Sequence, residues 1–287
     1  MTPYVFDDRA CRLGEGPLWH PERNQLFWFN ITENRLLSRT AEGPQEWSFD
    51  DNVSAAGWVD HDTLLIASET ALWRYSLTDD RRELLVPLEA DDPVTRSNDG
   101  RADPWGGFWI GTMGKTAEFE AGAIYRYYRG ELRQLFDKIT VSNAICFTPD
   151  RRHAYFTDTP TQLVMRQTLD GKSGWPTGDP EVFLDLHNTN IRPDGAVVDK
   201  VGNIWIAKYG GSGVSCYSPD AQLLRSVALE ALQTTCPAFG GPNLSTMFCT
   251  SAFQNLPAEQ LAAQPNNGAL FAVDGIGQGQ PEHRVIL

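Results

Sequence analysis

The sequence has 287 residues, of which 41% are hydrophobic and 11% aromatic, and a formal net charge of −13. This length allows one large or two ordinary domains, and 25 Gly with 18 Pro suit short strands joined by tight turns. The acidic balance argues against a nucleic-acid partner, because phosphate binding requires a basic face. No apolar run approaches the roughly 20 residues of a membrane span, so we expect no membrane partner.

The cysteines and the N-terminal residues indicate the compartment. The five cysteines form no CxxC pair, and an odd number cannot pair completely, which favours reduced thiols over a disulfide framework. The first residues, MTPYVFDDRACRL, lack a basic flank followed by an apolar core, so we expect no signal peptide. These features predict a cytoplasmic protein, which we expect to be a monomer.

One pattern recurs six times along the chain: a polar or small anchor residue, a short strand, a Pro/Asp/Gly turn and a second strand. The anchor positions are separated by 40, 43, 45, 51 and 42 residues, by subtraction of the numbers of Glu15, Ala55, Asn98, Asn143, Asp194 and Cys236. A β-only repeat of this length is typical of propeller blades, each a four-stranded sheet. The sequence therefore predicts an all-β, six-bladed β-propeller that occupies residues 1–287 as a single domain.

Within the first copy we predict an innermost strand at 17–19, then strands at 26–31, 36–39 and 45–49. Later copies give third strands at 72–75, 123–127, 162–167, 213–217 and 269–273, and fourth strands at 132–136 and 181–184. Helical periodicity is nearly absent, and the best helix candidate is 257–263. Apolar residues at both ends of the chain suggest that 4–6 pairs with 283–287 in one sheet and so closes the ring.

The anchors are the candidate ligands of a metal ion. The innermost strands of a propeller line its central channel, so Glu15, Asn143 and Asp194 are predicted to converge on its axis. Two carboxylates and an amide carbonyl suit a divalent cation, with Ca²⁺, Mg²⁺ or Mn²⁺ first and Zn²⁺ or Fe²⁺ as further candidates. A single Asn or Asp before a turn more often caps that turn, but three at one repeat position favour a site.

A polar cluster, Arg96-Ser97-Asn98-Asp99-Gly100, precedes the third copy's hairpin. Arg96, Asn98 and Asp99, grouped just before a hairpin, make poor core material and a good polar ligand site. Asp99 fits a site role and a turn-capping role equally well. Trp19, Trp109 and Trp205 occupy strand positions and are predicted to lie in the blade core.

Several phrases resemble the SMP-30/gluconolactonase/regucalcin family over nearly the whole chain: LGEGPLW, RSNDG with DPWGGFWIGTM, VSNAICFTPD with YFTDT, and PDGAVVD with GNIWIA. The resemblance implies a six-bladed propeller that hydrolyses sugar lactones to aldonic acids. It implies a divalent metal on Glu15, Asn143 and Asp194, substrate contacts from Arg96 and Asn98, and Asp194 as general base. Some members carry an acidic residue shortly after the Thr-Met step, where this chain has Gly114-Lys115-Thr116, so the sugar preference does not transfer.

Elementary chemistry agrees with this interpretation. Ester hydrolysis needs an activated water, a polarised carbonyl and a stabilised oxyanion, which a metal ion and a nearby carboxylate base can supply. We therefore predict a metal-dependent hydrolase acting on a sugar lactone. The alternatives are a metal-dependent esterase or phosphotriesterase at the same site and a non-catalytic, calcium-binding propeller scaffold. Histidine pairs of zinc enzymes and a GxSxG nucleophile motif are both absent from the sequence.

Overall fold

The computed structural model describes residues 1–287. It contains 24 β-strands arranged as six four-stranded antiparallel sheets, and the protein is a six-bladed β-propeller. The predicted fold class is therefore confirmed. None of the helices is long and apolar enough to cross a membrane.

Each blade is numbered in chain order and its strands run from the channel outward. The N-terminal strand is β1 (Tyr4–Asp7). Blade 1 consists of β2 (Gly14–His20), β3 (Gln25–Asn30), β4 (Arg35–Thr40) and β5 (Gly43–Ser48). Blade 2 consists of β6 (Val53–Asp60), β7 (Thr63–Ser68), β8 (Ala71–Ser76) and β9 (Arg82–Pro87). Blade 3 consists of β10 (Thr95–Ala102), β11 (Phe108–Gly114), β12 (Gly122–Tyr128) and β13 (Glu131–Ile139).

The remaining blades follow the same order. Blade 4 consists of β14 (Ser142–Phe147), β15 (His153–Asp158), β16 (Leu163–Thr168) and β17 (Glu181–Asp185). Blade 5 consists of β18 (Arg192–Val198), β19 (Ile204–Tyr209), β20 (Gly213–Tyr217) and β21 (Leu223–Ala228). Blade 6 consists of β22 (Gln233–Gly240), β23 (Thr246–Ala252) and β24 (Leu270–Asp274), with β1 outermost. Three short 3₁₀ helices lie at Ile31–Glu33, Thr159–Thr161 and Pro242–Leu244, and one α-helix, α1, at Ala258–Ala263.

The predicted strands agree well with the observed ones. Every predicted third strand is confirmed within one residue at each end. The predicted helix at 257–263 is confirmed as α1. The innermost strand of blade 1 is longer than predicted, because β2 continues through Glu15 and Gly16 toward the channel end.

Apolar side chains pack between neighbouring blades and do not form one central core. Six clusters of buried apolar residues each join two neighbouring blades, including the sixth to the first. The predicted core positions of Trp19, Trp109 and Trp205 are confirmed, since they are exposed by 8%, 0% and 2%. All five cysteines are free and buried, as expected for reduced thiols. Polar side chains of the innermost strands are therefore available to line the channel.

The ring closes differently from the prediction. The N-terminal strand β1 does form the outer edge of blade 6, where Tyr4 pairs with Ala272 and Val5 with Phe271 of β24. The prediction that residues 283–287 pair with β1 is wrong. Because β1 pairs directly with β24, the C-terminal residues turn away and cross beneath other blades, where Val285 N donates to Trp58 O at 2.9 Å.

The contacts of β1 predict a loss of stability on its removal. Phe6 packs edge-on against Phe248 with ring centroids 4.9 Å apart, and Asp7 is buried between Arg9 and Arg39. Deleting residues 2–7 removes both contacts and exposes the edge of β24, so we expect the melting temperature to fall by about 10 °C. Deleting residues 2–3 alone is the control, since it leaves β1 intact. Equal melting temperatures of the two deletions by differential scanning calorimetry would contradict this closure.

Candidate metal centre and substrate site

The predicted anchors lie together at one end of the channel. Each of them occupies the N-terminal part of an innermost strand, and Glu15, Asn143 and Asp194 are exposed by only 5%, 3% and 5%. All six innermost strands have a register shift at the anchor position. Such β-bulges redirect side chains and are common beside functional sites. The bulges therefore turn a repeated strand position into a shared polar site.

Local backbone requirements explain the glycines that follow the two acidic anchors. Gly16 has φ +53°, and a Cβ there would lie 2.3 Å from the Ser54 carbonyl oxygen. A Cβ on Gly195 would lie 2.4 Å from the sulfur of Cys236. Larger residues at these positions would push the acidic side chains out of place, so both glycines are needed for the site.

The amide of Asn143 is oriented by its neighbours. Its Nδ2 donates to Thr159 Oγ1 at 2.9 Å, and the Thr159 hydroxyl in turn donates to Pro193 O at 2.7 Å. The amide oxygen of Asn143 accepts from Asn98 Nδ2 at 3.2 Å. Thr159 was not among the predicted site residues, although it ends the YFTDT phrase and lies in a turn beside β14. It links the Asn143 anchor to the backbone immediately before Asp194.

Arg96 and Asn98 lie on β10 and are exposed by only 6% each. Nη1 of Arg96 donates to Asn98 Oδ1 and to Ser97 O, both at 2.8 Å, whereas its Nε and Nη2 make no hydrogen bond within the protein. Asn98 Nδ2 also donates to Ser142 O at 2.8 Å. Arg96 therefore keeps free donors for a ligand, while the amide of Asn98 is occupied by Arg96, by the Ser142 carbonyl and by the Asn143 anchor.

The side chain of Asp99 contacts the backbone of the neighbouring blade. Its Oδ2 accepts a hydrogen bond of 2.7 Å from the backbone N–H of Ile145 on β14. The contact joins blade 3 to blade 4 just beyond Asn143, at a backbone strained by φ +57° at Ala144. Asp99 is thus more than a turn cap, because one of its oxygens binds the bulge that presents Asn143.

Three buried carboxyl groups and one guanidinium lie at this end of the channel, and burial disfavours the charged forms of the carboxyl groups. Burial and the charge of Asp99 raise the pKa of Glu15 to about 8. Burial and the charge of Glu15 raise the pKa of Asp194 well above its usual value. Burial lowers the pKa of Arg96 only to about 10, so it remains a cation beside them at neutral pH.

The residues fit an oxygen-ligated divalent cation. Nowhere in the chain do three His, Cys, Asp or Glu side chains form a metal-binding group. The candidate set is instead two carboxylates with the oxygen of one oriented amide, which is a donor set for hard cations. The raised pKa values of Glu15 and Asp194 fit this assignment, because a bound cation would neutralise two carboxylates that otherwise repel each other.

The loop after β11 forms part of the rim at this end. Lys115 Nζ pairs with Glu69 of blade 2 and donates to Pro93 O at 2.9 Å. The backbone N–H of Thr116 donates to Glu118 Oε2 at 3.1 Å, and its hydroxyl donates to Glu118 Oε1. The chain therefore places an acidic side chain, Glu118, against Thr116. No local pattern in the sequence predicts the pairing of Lys115 with Glu69 or the contact of Thr116 with Glu118.

Comparison with known proteins identifies the family. Residues 13–253 match the model of the SMP-30/gluconolactonase/LRE-like region, and the chain belongs to this family. A solved structure of a calcium-binding protein, regucalcin, from Agrobacterium tumefaciens has a TM-score of 0.97 and 36% identity, covering 100% of this chain and 98% of that one.

Two relatives have names that state an activity. The 6-deoxy-6-sulfogluconolactonase of Pseudomonas putida is 32% identical over 91% of this chain and 90% of its own length. The pentonolactonase XacC of Haloferax volcanii is 32% identical over 99% of this chain and 98% of its own length.

Proposed function

We propose that this protein hydrolyses a sugar lactone to the aldonic acid and requires one divalent cation for it. The observation that carries the proposal is the convergence of Glu15, Asn143 and Asp194 beside the free guanidinium donors of Arg96, at one end of the channel. The names of the gluconolactonase and pentonolactonase relatives support the reaction class.

In this proposal Glu15, Asn143 and Asp194 hold the cation. When bound, such a cation polarises the lactone carbonyl and lowers the pKa of water. Asp194 is the general base, because a carboxylate can use one oxygen for a metal ion and the other for a proton. Nε and Nη2 of Arg96 face the negative charge that develops on the carbonyl oxygen of the lactone and is shared by the product carboxylate.

The same arrangement is compatible with two other functions. A metal-dependent esterase or phosphotriesterase would also use a cation beside an acidic base. A calcium-binding scaffold is favoured by the name of the Agrobacterium relative. Arg96 argues against the scaffold, since a purely structural ion has no need of a second cation next to it.

A substrate panel separates these possibilities. The protein, loaded in turn with Ca²⁺, Mn²⁺ or Zn²⁺, is assayed with five- and six-carbon aldonolactones, an aryl ester and a phosphotriester. We expect turnover of at least one aldonolactone with a kcat/KM at least 100-fold above those for the ester and the phosphotriester. A preference for either of the latter supports the alternative enzyme, and no turnover of any substrate with any cation supports the scaffold.

Substitution of Arg96 tests the substrate contact. Arg96→Ala is expected to lower kcat/KM by about 100-fold, because it removes a charge-assisted contact to the developing oxyanion. Arg96→Lys should recover little of this loss, since an ammonium cannot reproduce the planar fork that also holds Asn98. Cation affinity, measured by calorimetry, should stay within a few-fold of wild type in both variants. Loss of the cation would instead place Arg96 among the residues that form the metal site.

Asn98 is expected to behave differently from Arg96. Because its Nδ2 donates to the Asn143 oxygen, Asn98→Ala should weaken both lactone turnover and cation binding, each by about 10-fold. The predictions of a single domain over residues 1–287, of a monomer and of a cytoplasmic location remain predictions alongside this proposal.

A further inference from the structure

The C-terminal residues cross the end of the channel opposite the anchors. We call residues 278–286 the C-terminal strap. It lies against the C-terminal ends of innermost strands, where Gln280 Nε2 donates to Phe147 O at 2.8 Å and to Val198 O at 3.2 Å. Farther along, Ile286 N donates to Gly106 O at 2.9 Å. The strap lies beyond the family-matched segment, which ends at residue 253.

The strap fills this end of the channel closely. Val285 is completely buried among apolar side chains of blades 2 and 3. The cavity between the strap and the innermost strands has a volume of only about 10 Å³. One strap residue, Glu282, points inward and pairs with Arg101 of β10, and the two side chains are exposed by only 9% and 11%.

Arg101 connects the strap to the strand that carries Asp194. Its Nη1 donates to Glu282 Oε1, and its Nη2 donates to the backbone oxygen of Ala196 on β18 at 3.4 Å. Ala196 is the residue at which the regular register of blade 5 resumes after the bulge at Asp194. Arg101 therefore contacts, through a long hydrogen bond, the backbone two residues after Asp194.

Asp99 makes an equivalent contact one blade earlier. It binds the N–H of Ile145, two residues after Asn143, and Arg101 binds the carbonyl of Ala196, two residues after Asp194. Both side chains come from β10, the strand that also carries Arg96 and Asn98. Polar side chains from one strand of blade 3 thus contact the backbone beside two anchors, one in blade 4 and one in blade 5.

From these contacts we infer that Arg101 is a positioning residue for Asp194 and that Glu282 of the C-terminal strap holds Arg101 in place. The inference rests on the proposed role of Asp194 as metal ligand and base. Residues that orient metal ligands typically change metal affinity or activity by about 10–100-fold when removed. A long, flexible arginine needs a fixed partner to act in this way, and Glu282 is its only carboxylate partner.

The test compares three variants of the full chain. Arg101→Met and Glu282→Gln remove the ion pair with little change in side-chain size. Arg284→Met is the matched control, because Arg284 lies in the same strap and donates through Nε to Val59 O without contacting β10 or β18. Ca²⁺ alone is titrated into each metal-free variant by calorimetry, and the melting temperature and lactone kinetics are measured on the same samples.

We expect Arg101→Met and Glu282→Gln to bind Ca²⁺ about 10-fold more weakly than Arg284→Met and to lower kcat by about 10-fold, with KM changed less than twofold. A general loss of stability would lower the melting temperature but would not change Ca²⁺ affinity well below the melting temperature. Ca²⁺ affinity and kcat equal to those of Arg284→Met would overturn the inference. If Glu282→Gln alone keeps both values, Glu282 does not hold Arg101 and that part is wrong.

The outcome can be separated from a failure of the proposed function. If Asp194→Asn keeps full turnover and full cation affinity, the proposed role of Asp194 fails, whatever the strap variants do. If Asp194→Asn loses turnover while Arg101→Met and Glu282→Gln match the control, the proposed function stands and only the positioning role of Arg101 is lost.

Discussion

Asp194→Asn is expected to give a folded protein that binds a divalent cation more weakly and hydrolyses lactone at least about 100-fold more slowly. The amide keeps an oxygen that can ligate a cation, but it cannot accept a proton, and general-base catalysis typically contributes about 10²–10⁴ in rate. The bulge at Asp194 is held by backbone pairing with β19 and by the hydrogen bond from Thr159 to Pro193 O, not by the Asp194 carboxyl group. The substitution therefore leaves the local fold intact. Cation content and initial rates should be measured on one sample of the variant.

The control for this substitution is Asp137→Asn, which makes the same chemical change on the exposed outer strand β13. It is expected to keep wild-type rates and cation content. If Asp194→Asn retains its cation and its rate falls by less than a few-fold, the base is another residue. Glu15 and Asp99 would then be tested next, because each is a buried carboxyl group at the site with one oxygen that accepts no hydrogen bond within the protein.

Replacing both acidic anchors should abolish activity and yet stabilise the metal-free fold. Burial raises the pKa values of Glu15 and Asp194, and the charges of Asp99 and of Glu15 respectively raise them further. Folding therefore buries two groups that would ionise freely in the unfolded chain. The double variant Glu15→Gln/Asp194→Asn removes this cost. We expect the melting temperature of its metal-free form at pH 7 to exceed that of metal-free wild type by on the order of 5 °C.

The same variant should lose the stabilisation by Ca²⁺ that we expect for wild type, because ligand binding to the native state raises stability by an amount that grows with the logarithm of the affinity. Scanning calorimetry of both proteins, with and without Ca²⁺, measures the two effects together. A metal-free double variant that is less stable than metal-free wild type would contradict the electrostatic account. A double variant that Ca²⁺ still stabilises fully would place the cation elsewhere.

Much of the fold was predictable because the same local pattern recurs in all six copies. Each copy has a strand, a tight turn and a second apolar strand, and this local pattern fixes the blade regardless of distant contacts. The positions of Glu15, Asn143 and Asp194 were predictable for the same reason, since equivalent positions of a closed ring face one axis. The core position of Trp109, which is fully buried between blades, was predicted from its place in a strand alone.

The features that were predicted wrongly or not at all depend on contacts between residues far apart in the sequence. Arg101 and Glu282 are 181 residues apart, and no local pattern marks either of them as a partner. The C-terminal residues looked like a strand because they are apolar, but β1 already occupies the edge they were expected to join. The role of Asp99 could not be predicted for the same reason. Its partner is a backbone N–H of the next blade, and a pattern of side chains does not indicate such a contact.

The central claim is that lactone hydrolysis depends on one divalent cation held by Glu15, Asn143 and Asp194. The most direct test is to strip the protein of metal and to follow aldonolactone turnover while Mn²⁺ or Ca²⁺ is added in fractions of an equivalent. We predict negligible turnover of the stripped protein and a rate that rises until one equivalent per chain is bound and then levels off. Full turnover by the exhaustively stripped protein would contradict the claim.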